Sequence, residues 1–332
     1  MTETKGHGLN NRGYDGIIRM ATPAAQSAQG EKRAASRASI VLAFAAVYFF
    51  WGSTYTAIRI GAADMPALLF AGTRFLIAGA ILLAWCRFRG LRILWPPREM
   101  MIFCAVGLLL LGCGNVGLVY AEKTMPSGLS SLVLAVIPLI VALIEMLLPG
   151  GEPLPARGWL GMGLGFAGLV ALVWPSIKAG VTGDRALLLA LAALLGGGVC
   201  WAVGSVLSRR SRLEANSFVA AAWQMIFAGV VSVAIGSGLG EWPQFHLTAG
   251  AVGSLAYLIT GGSLIGYTAF IYLLEHVPVS KVVSHSYINP VVAVILGILV
   301  LGERPQTAEF VGMAGVIVAV YLLTSARIKV RG

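Results

Sequence analysis

The chain has 332 residues, 58% of them hydrophobic and 11% charged, with a formal net charge of +10. Soluble domains carry roughly 25% charged residues, so this composition excludes a soluble globular domain and points to a chain that lives in lipid.

Residues 1–36 are a different material from the rest. They are rich in Ala, Gly, Ser and Lys/Arg, hold Pro23, and show no apolar periodicity, which predicts a disordered cytoplasmic tail. No apolar core of roughly 7–15 residues precedes a cleavage site, so this is not a secretory signal. A basic tail of this kind either touches anionic lipid or is simply solvated.

Ten apolar stretches follow, at 39–61, 65–86, 100–121, 127–148, 156–175, 186–207, 217–238, 248–274, 280–301 and 307–325. About 20 apolar residues cross the bilayer core as a helix. Short loops separate the stretches, punctuated by Met65-Pro66, Trp95-Pro96-Pro97, Met125-Pro126-Ser127, Pro149-Gly150-Gly151, Trp242-Pro243 and Val277-Pro278. Backbone groups in lipid must be hydrogen-bonded internally, which predicts helices. The alternating strands of a barrel do not fit runs such as Leu187–Leu195. The expected fold class is an all-α integral membrane protein with ten transmembrane helices.

Orientation follows from the distribution of Lys and Arg. One side holds Lys5, Arg12, Arg19, Lys32, Arg33 and Arg37, then Arg87, Arg89, Arg92 and Arg98. It continues with Arg157, Arg209, Arg210, Arg212, Lys281, Arg327, Lys329 and Arg331, while the other side collects Lys123, Lys178, Arg185 and Arg304. The bias of 18 to 4 among the 24 basic residues places both termini in the cytoplasm. The positive charge is thus a property of topology, and no nucleic-acid partner is expected. The four cysteines, Cys86, Cys104, Cys113 and Cys200, lie within spans at no pair spacing and suit small apolar fillers.

The chain repeats itself. At a shift of 150, Trp51 falls on Trp201, Ala71 on Ala221 and Gly79 on Gly229. At 152, Pro126 falls on Pro278 and Pro138 on Pro290, and at 151 Gly151-Glu152 falls on Gly302-Glu303. Loop insertions would give such a drift of two. Five spans per unit is odd, so the second copy enters the membrane upside down, and the expected architecture is a 5+5 inverted-topology repeat. Transporters rock such halves about a central site, whereas a scaffold or receptor has no need of it. The expected domains are 37–178 and 183–326, flanked by the tail 1–36 and a basic cytoplasmic tail 327–332.

Trp51-Gly52-Ser53-Thr54-Tyr55, Arg74-Phe75, Met125-Pro126-Ser127-Gly128, Tyr287-Ile288-Asn289-Pro290 and Gly302-Glu303 together resemble the drug/metabolite transporter superfamily. Within it they are most similar to the EamA family and its YedA-type exporters. The resemblance covers about residues 40–325. It implies secondary transport, mostly export, of small metabolites, either amino-acid-like or drug-like solutes, in a bacterial inner membrane. It leaves the substrate open.

Polar groups inside spans are costly and mark candidate sites. Arg74 lies about ten residues into the second span; it either grips a substrate carboxylate with both arms or ties two helices together through carbonyls. Lys281, His285 and Asn289 are spaced to share one helix face, with Pro290 adding a kink and a freed carbonyl. His285 is either a proton-coupling group or a neutral, hydrogen-bonded imidazole. Trp51, Tyr55, Trp201, Gln224 and Tyr267, with Trp223 beside them, form either an aromatic and amide cage or ordinary packing. Asn115 lines a cavity or bonds across helices. The expected substrate-binding set is therefore Trp51, Tyr55, Arg74, Asn115, Trp201, Gln224, Tyr267, His285 and Asn289. Arg59 is expected to snorkel; Glu145 either carries protons or reaches the interface or pairs with Arg157; and Glu122 and Lys123, with Glu275 and His276, are expected to be solvated at span ends.

Gly112-Cys113-Gly114-Asn115-Val116-Gly117 satisfies a dinucleotide fingerprint but sits inside an apolar span without a preceding strand; small residues there bring helices close. No Walker lysine, catalytic triad, metal motif or paired carboxylate appears, so neither cofactor nor enzymatic role is expected. The expected partners are a small-molecule substrate, membrane lipids and, as a candidate coupling ion, protons. A non-coupled facilitator or exchanger competes with an active exporter. An intramembrane lipid-modifying enzyme is more distant, because no loop is long enough to hold its catalytic cluster.

Overall fold

The computed structural model describes residues 36–149, 156–181 and 184–304, with residues 307, 310, 311, 314, 315, 318, 321 and 322. The expected tail 327–332 and nearly all of the tail 1–36 lie outside the described residues.

The fold is all-α. In chain order the helices are α1 (Arg37–Ala62), α2 (Ala67–Phe88), α3 (Pro97–Ala121), α4 (Ser127–Leu147), α5 (Ala156–Val181), α6 (Arg185–Arg210), α7 (Ser217–Gly238), α8 (Ala249–His276) and α9 (His285–Leu301). The eight described residues between 307 and 322 are helical as well. Among the described residues seven helices, α1–α4 and α6–α8, are long and apolar enough to cross a membrane, and α9 adds the shorter apolar stretch Ile288–Leu301.

Local chemistry sets the helix starts. Pro66, Pro126 and Pro278 sit at N-caps with extended ψ of 150, 146 and 136°, where the missing N–H costs nothing. Asp184, Asn216 and Thr248 cap α6, α7 and α8 by accepting from Leu187, Phe218 and Ala251 main-chain N–H groups. Gly302, at φ +66°, ends α9 in the left-handed conformation that favours glycine. The turn it makes sends Glu303 back to α4. There the carboxylate accepts from Ser127 N–H at 2.8 Å, Ser127 Oγ at 3.0 Å and Gly128 N–H at 3.3 Å. Two motifs far apart in sequence, Ser127-Gly128 and Gly302-Glu303, are thus one capping device.

Two spans expected to be continuous are interrupted. α4 breaks at Ala135-Val136, just before Pro138, whose ring would collide with the carbonyl four residues back. The ninth span breaks at Val283-Ser284 into a single turn, Val279–Val282, and α9. The expected polar stripe is therefore split: Lys281 is exposed on the short turn, while His285 and Asn289 are buried on α9.

The repeat is visible in three dimensions. α2 and α7 pack antiparallel through small residues. A Cβ added to Gly79 would lie 3.0 Å from the Ala222 carbonyl, and one added to Gly229 would lie 3.0 Å from that of Gly72. Gly229 is Gly79 shifted by 150, and Ala222 is Gly72 shifted by 150. Such reciprocity is the signature of a two-fold axis. Because the mated helices run antiparallel, the axis crosses them, lying in the membrane plane for helices that span it. α3 and α8 also match. Each contains a wide-turn segment, Leu108–Asn115 and Leu258–Tyr267, of the kind that marks functional sites. These segments begin 150 residues apart and the helical turns after them 152 apart. The drift in the repeat therefore falls within the third span of each half, not in a loop.

Candidate substrate cavity

The break in α4, the break before α9 and the wide turns of α3 and α8 all border one cavity of about 60 Å³. At roughly 10–15 Å³ per water this holds about four to six waters, the size of a small metabolite. Eight of the nine residues expected at a site line it: Trp51, Tyr55, Arg74, Asn115, Trp201, Tyr267, His285 and Asn289. The ninth does not. Gln224 is wholly buried behind the wall, where its Oε1 accepts from the Tyr267 hydroxyl at 2.7 Å. Trp223 turns away altogether, donating to the Ile93 carbonyl at 2.7 Å.

One wall is aromatic. Trp51 meets Trp201 edge-on at 5.3 Å, His285 edge-on at 5.0 Å and Phe270 at 4.8 Å. Its Nε1 donates to the Gly262 carbonyl at 3.1 Å, which fixes the ring. Facing this wall is Arg74, 3% exposed. Its Nε donates to Ser263 Oγ at 2.9 Å, its guanidinium carbon stands 4.8 Å from the Phe75 ring centre, and its Nη1 has no hydrogen-bond partner.

Other polar atoms of the wall are likewise unpaired: Asn115 Oδ1, Trp201 Nε1, His285 Nε2 and Asn289 Oδ1. The Asn289 amide nitrogen lies 3.2 Å from His285 Nδ1, where the amide donates and the ring nitrogen accepts. The prolines add acceptors. Pro138 and Pro290 have no N–H for the carbonyls four residues back, those of Leu134 and Ser286, and both of these residues line the cavity. They are repeat mates at a shift of 152. Sequence reasoning took up only the second, although Pro138 signalled the first equally.

Of the charged residues near span ends, Glu122 departs from its expected environment. Arg59, half-buried near the end of α1, donates from Nη1 to the main-chain carbonyl of Glu122 at the end of α3. Glu122 is wholly buried, not solvated. Glu145 pairs with Arg210 at 2.8 Å. The glycine run of α3 is a packing surface: a Cβ on Gly117 would lie 2.6 Å from the Ala193 carbonyl of α6.

An all-helical membrane bundle with a two-fold repeat and a polar cavity among its helices is a transporter architecture. The chain belongs to the EamA-like transporter family, whose model matches residues 38–174 and again 188–325. It is 35% identical to the uncharacterized inner membrane transporter YedA of Escherichia coli (strain K12), over 84% of this chain and 88% of that protein. It is 27% identical to the uncharacterized transporter sll0355 of Synechocystis, over 85% and 88% of the two chains. It is also 27% identical to the chloroplastic WAT1-related protein At3g02690 of Arabidopsis thaliana, over 83% and 67%. A solved crystal structure at 23% identity shares the fold, with a TM-score of 0.66 over 89% of this chain and 100% of that one.

Proposed function

We propose that this protein is a proton-coupled secondary transporter that exports small carboxylate-bearing metabolites of amino-acid type, with both termini in the cytoplasm. The observation that carries the substrate class is the Nη1 of Arg74, buried without a hydrogen-bond partner. A cation at membrane depth costs about 2.5–3.5 kcal/mol even on lenient scales, and the one side-chain bond at its Nε leaves this edge of the fork unused. Among the described lining residues none is acidic, so the cavity carries a positive pole with no built-in counter-ion. A carboxylate supplies one by a charge-assisted bond. The acceptors Asn115 Oδ1 and Asn289 Oδ1 suit an amino group on the same molecule.

Movement by alternating access would break one end of the bundle at a time. Contacts at the two ends suit that. One end is tied by Arg59 to Glu122 and by Ser127 to Glu303; the other by Arg209 to Glu275 and by Arg210 to Glu145. The Arg210–Glu145 pair is partly exposed, 35% and 20%, and exposed pairs contribute little to stability, so it opens readily.

The test is efflux of amino acids and organic acids from cells overexpressing the chain against a deletion strain, with and without a proton uncoupler. Accumulation outside that the uncoupler abolishes supports the reading. Equal efflux from both strains across the panel counts against it.

A further inference from the structure

Arg59 and Arg209 are repeat mates at a shift of 150, and they perform the same act at opposite ends of the molecule. Arg59 donates from Nη1 to the main-chain carbonyl of Glu122, one residue past α3; Arg209 donates from Nη1 to that of Glu275, near the end of α8, at 2.8 Å. Glu275 is one position from the strict mate of Glu122 at a shift of 152. The two carboxylates nevertheless differ. Glu275 accepts from the hydroxyl of Ser217, the first residue of α7. The mate of Ser217 is Ala67, the first residue of α2, which has no hydroxyl to offer. Glu122 is 0% exposed, and neither of its carboxylate oxygens has a hydrogen-bond partner among the described residues.

An ionised carboxylate buried in that condition is costly, and such a group takes up a proton instead. Among the described residues, the charged and titratable groups that interact with it are Arg59 and Tyr55 from α1, and Glu303 from the turn after α9. Burial holds the Glu122 carboxyl well above the usual carboxylate range, with Arg59 opposing and Glu303 adding to the effect. Tyr55, which feels the Glu122 charge, lines the central cavity.

We propose that Glu122 is a proton-binding site that gates its end of the transporter: closing that end takes up one proton from water, converting carboxylate to carboxyl, and opening it releases the proton. The inference rests on the transport reading above and names the group through which protons act. Its sign is definite. A carboxyl whose proton is held more tightly in the closed state stabilises that state at low pH, and the stabilisation is lost as pH rises through the closed-state value.

A pH titration of the full chain in lipid nanodiscs, followed by infrared difference spectroscopy of the carboxyl C=O band, tests this. Wild type is expected to show a carboxyl titrating well above the ordinary range. E122Q should lack that band and H285Q should keep it. E303Q should keep it with a midpoint at lower pH, and R59Q should move the midpoint to higher pH. Should E122Q disturb folding, E122D keeps a carboxyl at the site and the band persists at an altered midpoint. A wild-type protein without such a carboxyl, or a band unchanged in E122Q, overturns the proposal. The readout is the proton itself, so the two readings fail separately. A chain that exports none of the panel yet retains the Glu122 band sinks the transport reading alone; a chain that exports the panel without the band sinks this site alone.

Discussion

Arg74 donates from Nε to the Ser263 hydroxyl at 2.9 Å, while its buried Nη1 has no hydrogen-bond partner. Nη2 is backed by α8, where a Cβ on Gly262 would lie 2.7 Å away. Nη1 is the atom left over. The repeat mate of Arg74 is Gln224, so the pseudo-symmetric position in the other half carries an amide without charge. On the proposed reading, a substrate held by Arg74 would be bound off the two-fold axis, with its two ends treated differently.

Ser263→Ala should loosen the guanidinium without removing it. A hydrogen bond to a charged group contributes about 1.5–3 kcal/mol, and part of that is recovered by water in the cavity. The expected result is a rise of about tenfold in the apparent KM for efflux at unchanged protein abundance, measured in inside-out vesicles.

The α2–α7 contact should tolerate almost no added volume. Gly79→Leu and Gly229→Leu each drive a side chain into the facing helix backbone, and overpacking of this kind costs about 1–3 kcal/mol or more. Both variants are expected to lose thermal stability in detergent by size-exclusion assay. Gly163→Leu, whose Cβ would meet nothing within 4 Å, should behave as wild type.

His285→Gln is expected to reduce transport only in part. The ring packs edge-on to Trp51 and accepts at Nδ1 from the Asn289 amide. Glutamine restores a donor to the cavity but not the aromatic edge. Vesicle uptake that falls several-fold while its dependence on a pH gradient persists is the predicted pattern. Loss of that dependence in His285→Gln would move the coupling role from Glu122 to the imidazole.

Single cysteines at Lys123 and Arg210, in a chain with Cys86, Cys104, Cys113 and Cys200 replaced by serine, should react with a membrane-impermeant maleimide from opposite sides. Both positions are exposed. Arg210→Cys should label only in inverted vesicles, as the cytoplasmic bias of Lys and Arg requires.

Seven of the ten expected spans were legible in the sequence among the described residues, because a bilayer demands about 20 apolar residues at a time, and so was the repeat. Burial was harder, because in lipid both the buried and the lipid-facing sides of a helix are apolar. Arg74 and Asn289 betray an inward face by the cost of the alternative. Gln224 betrays the same face yet stops short of the cavity, since Tyr267 stands between. The place of Glu122 at a span end suggests water, and only the packing of the folded chain shows it sealed. The partner of Glu145 proved to be Arg210 in place of Arg157, a choice among loop arginines that spacing along the chain does not make. Lys281 left the stripe of His285 and Asn289 because the helix breaks at Val283-Ser284, where no proline or glycine announces it.

The claim that Arg74 holds a substrate carboxylate is tested most directly by measuring efflux of amino acids against their amides in proteoliposomes of wild type, Arg74→Lys and Arg74→Ala. Lysine keeps the charge but loses the planar fork. Wild type should transport the carboxylates and not the amides. Both variants should reach the membrane and lose about ten- to a hundredfold in apparent affinity, the equivalent of roughly 1.5–3 kcal/mol. Amides transported as well as carboxylates by wild type, or carboxylate transport undiminished in Arg74→Ala, would contradict it.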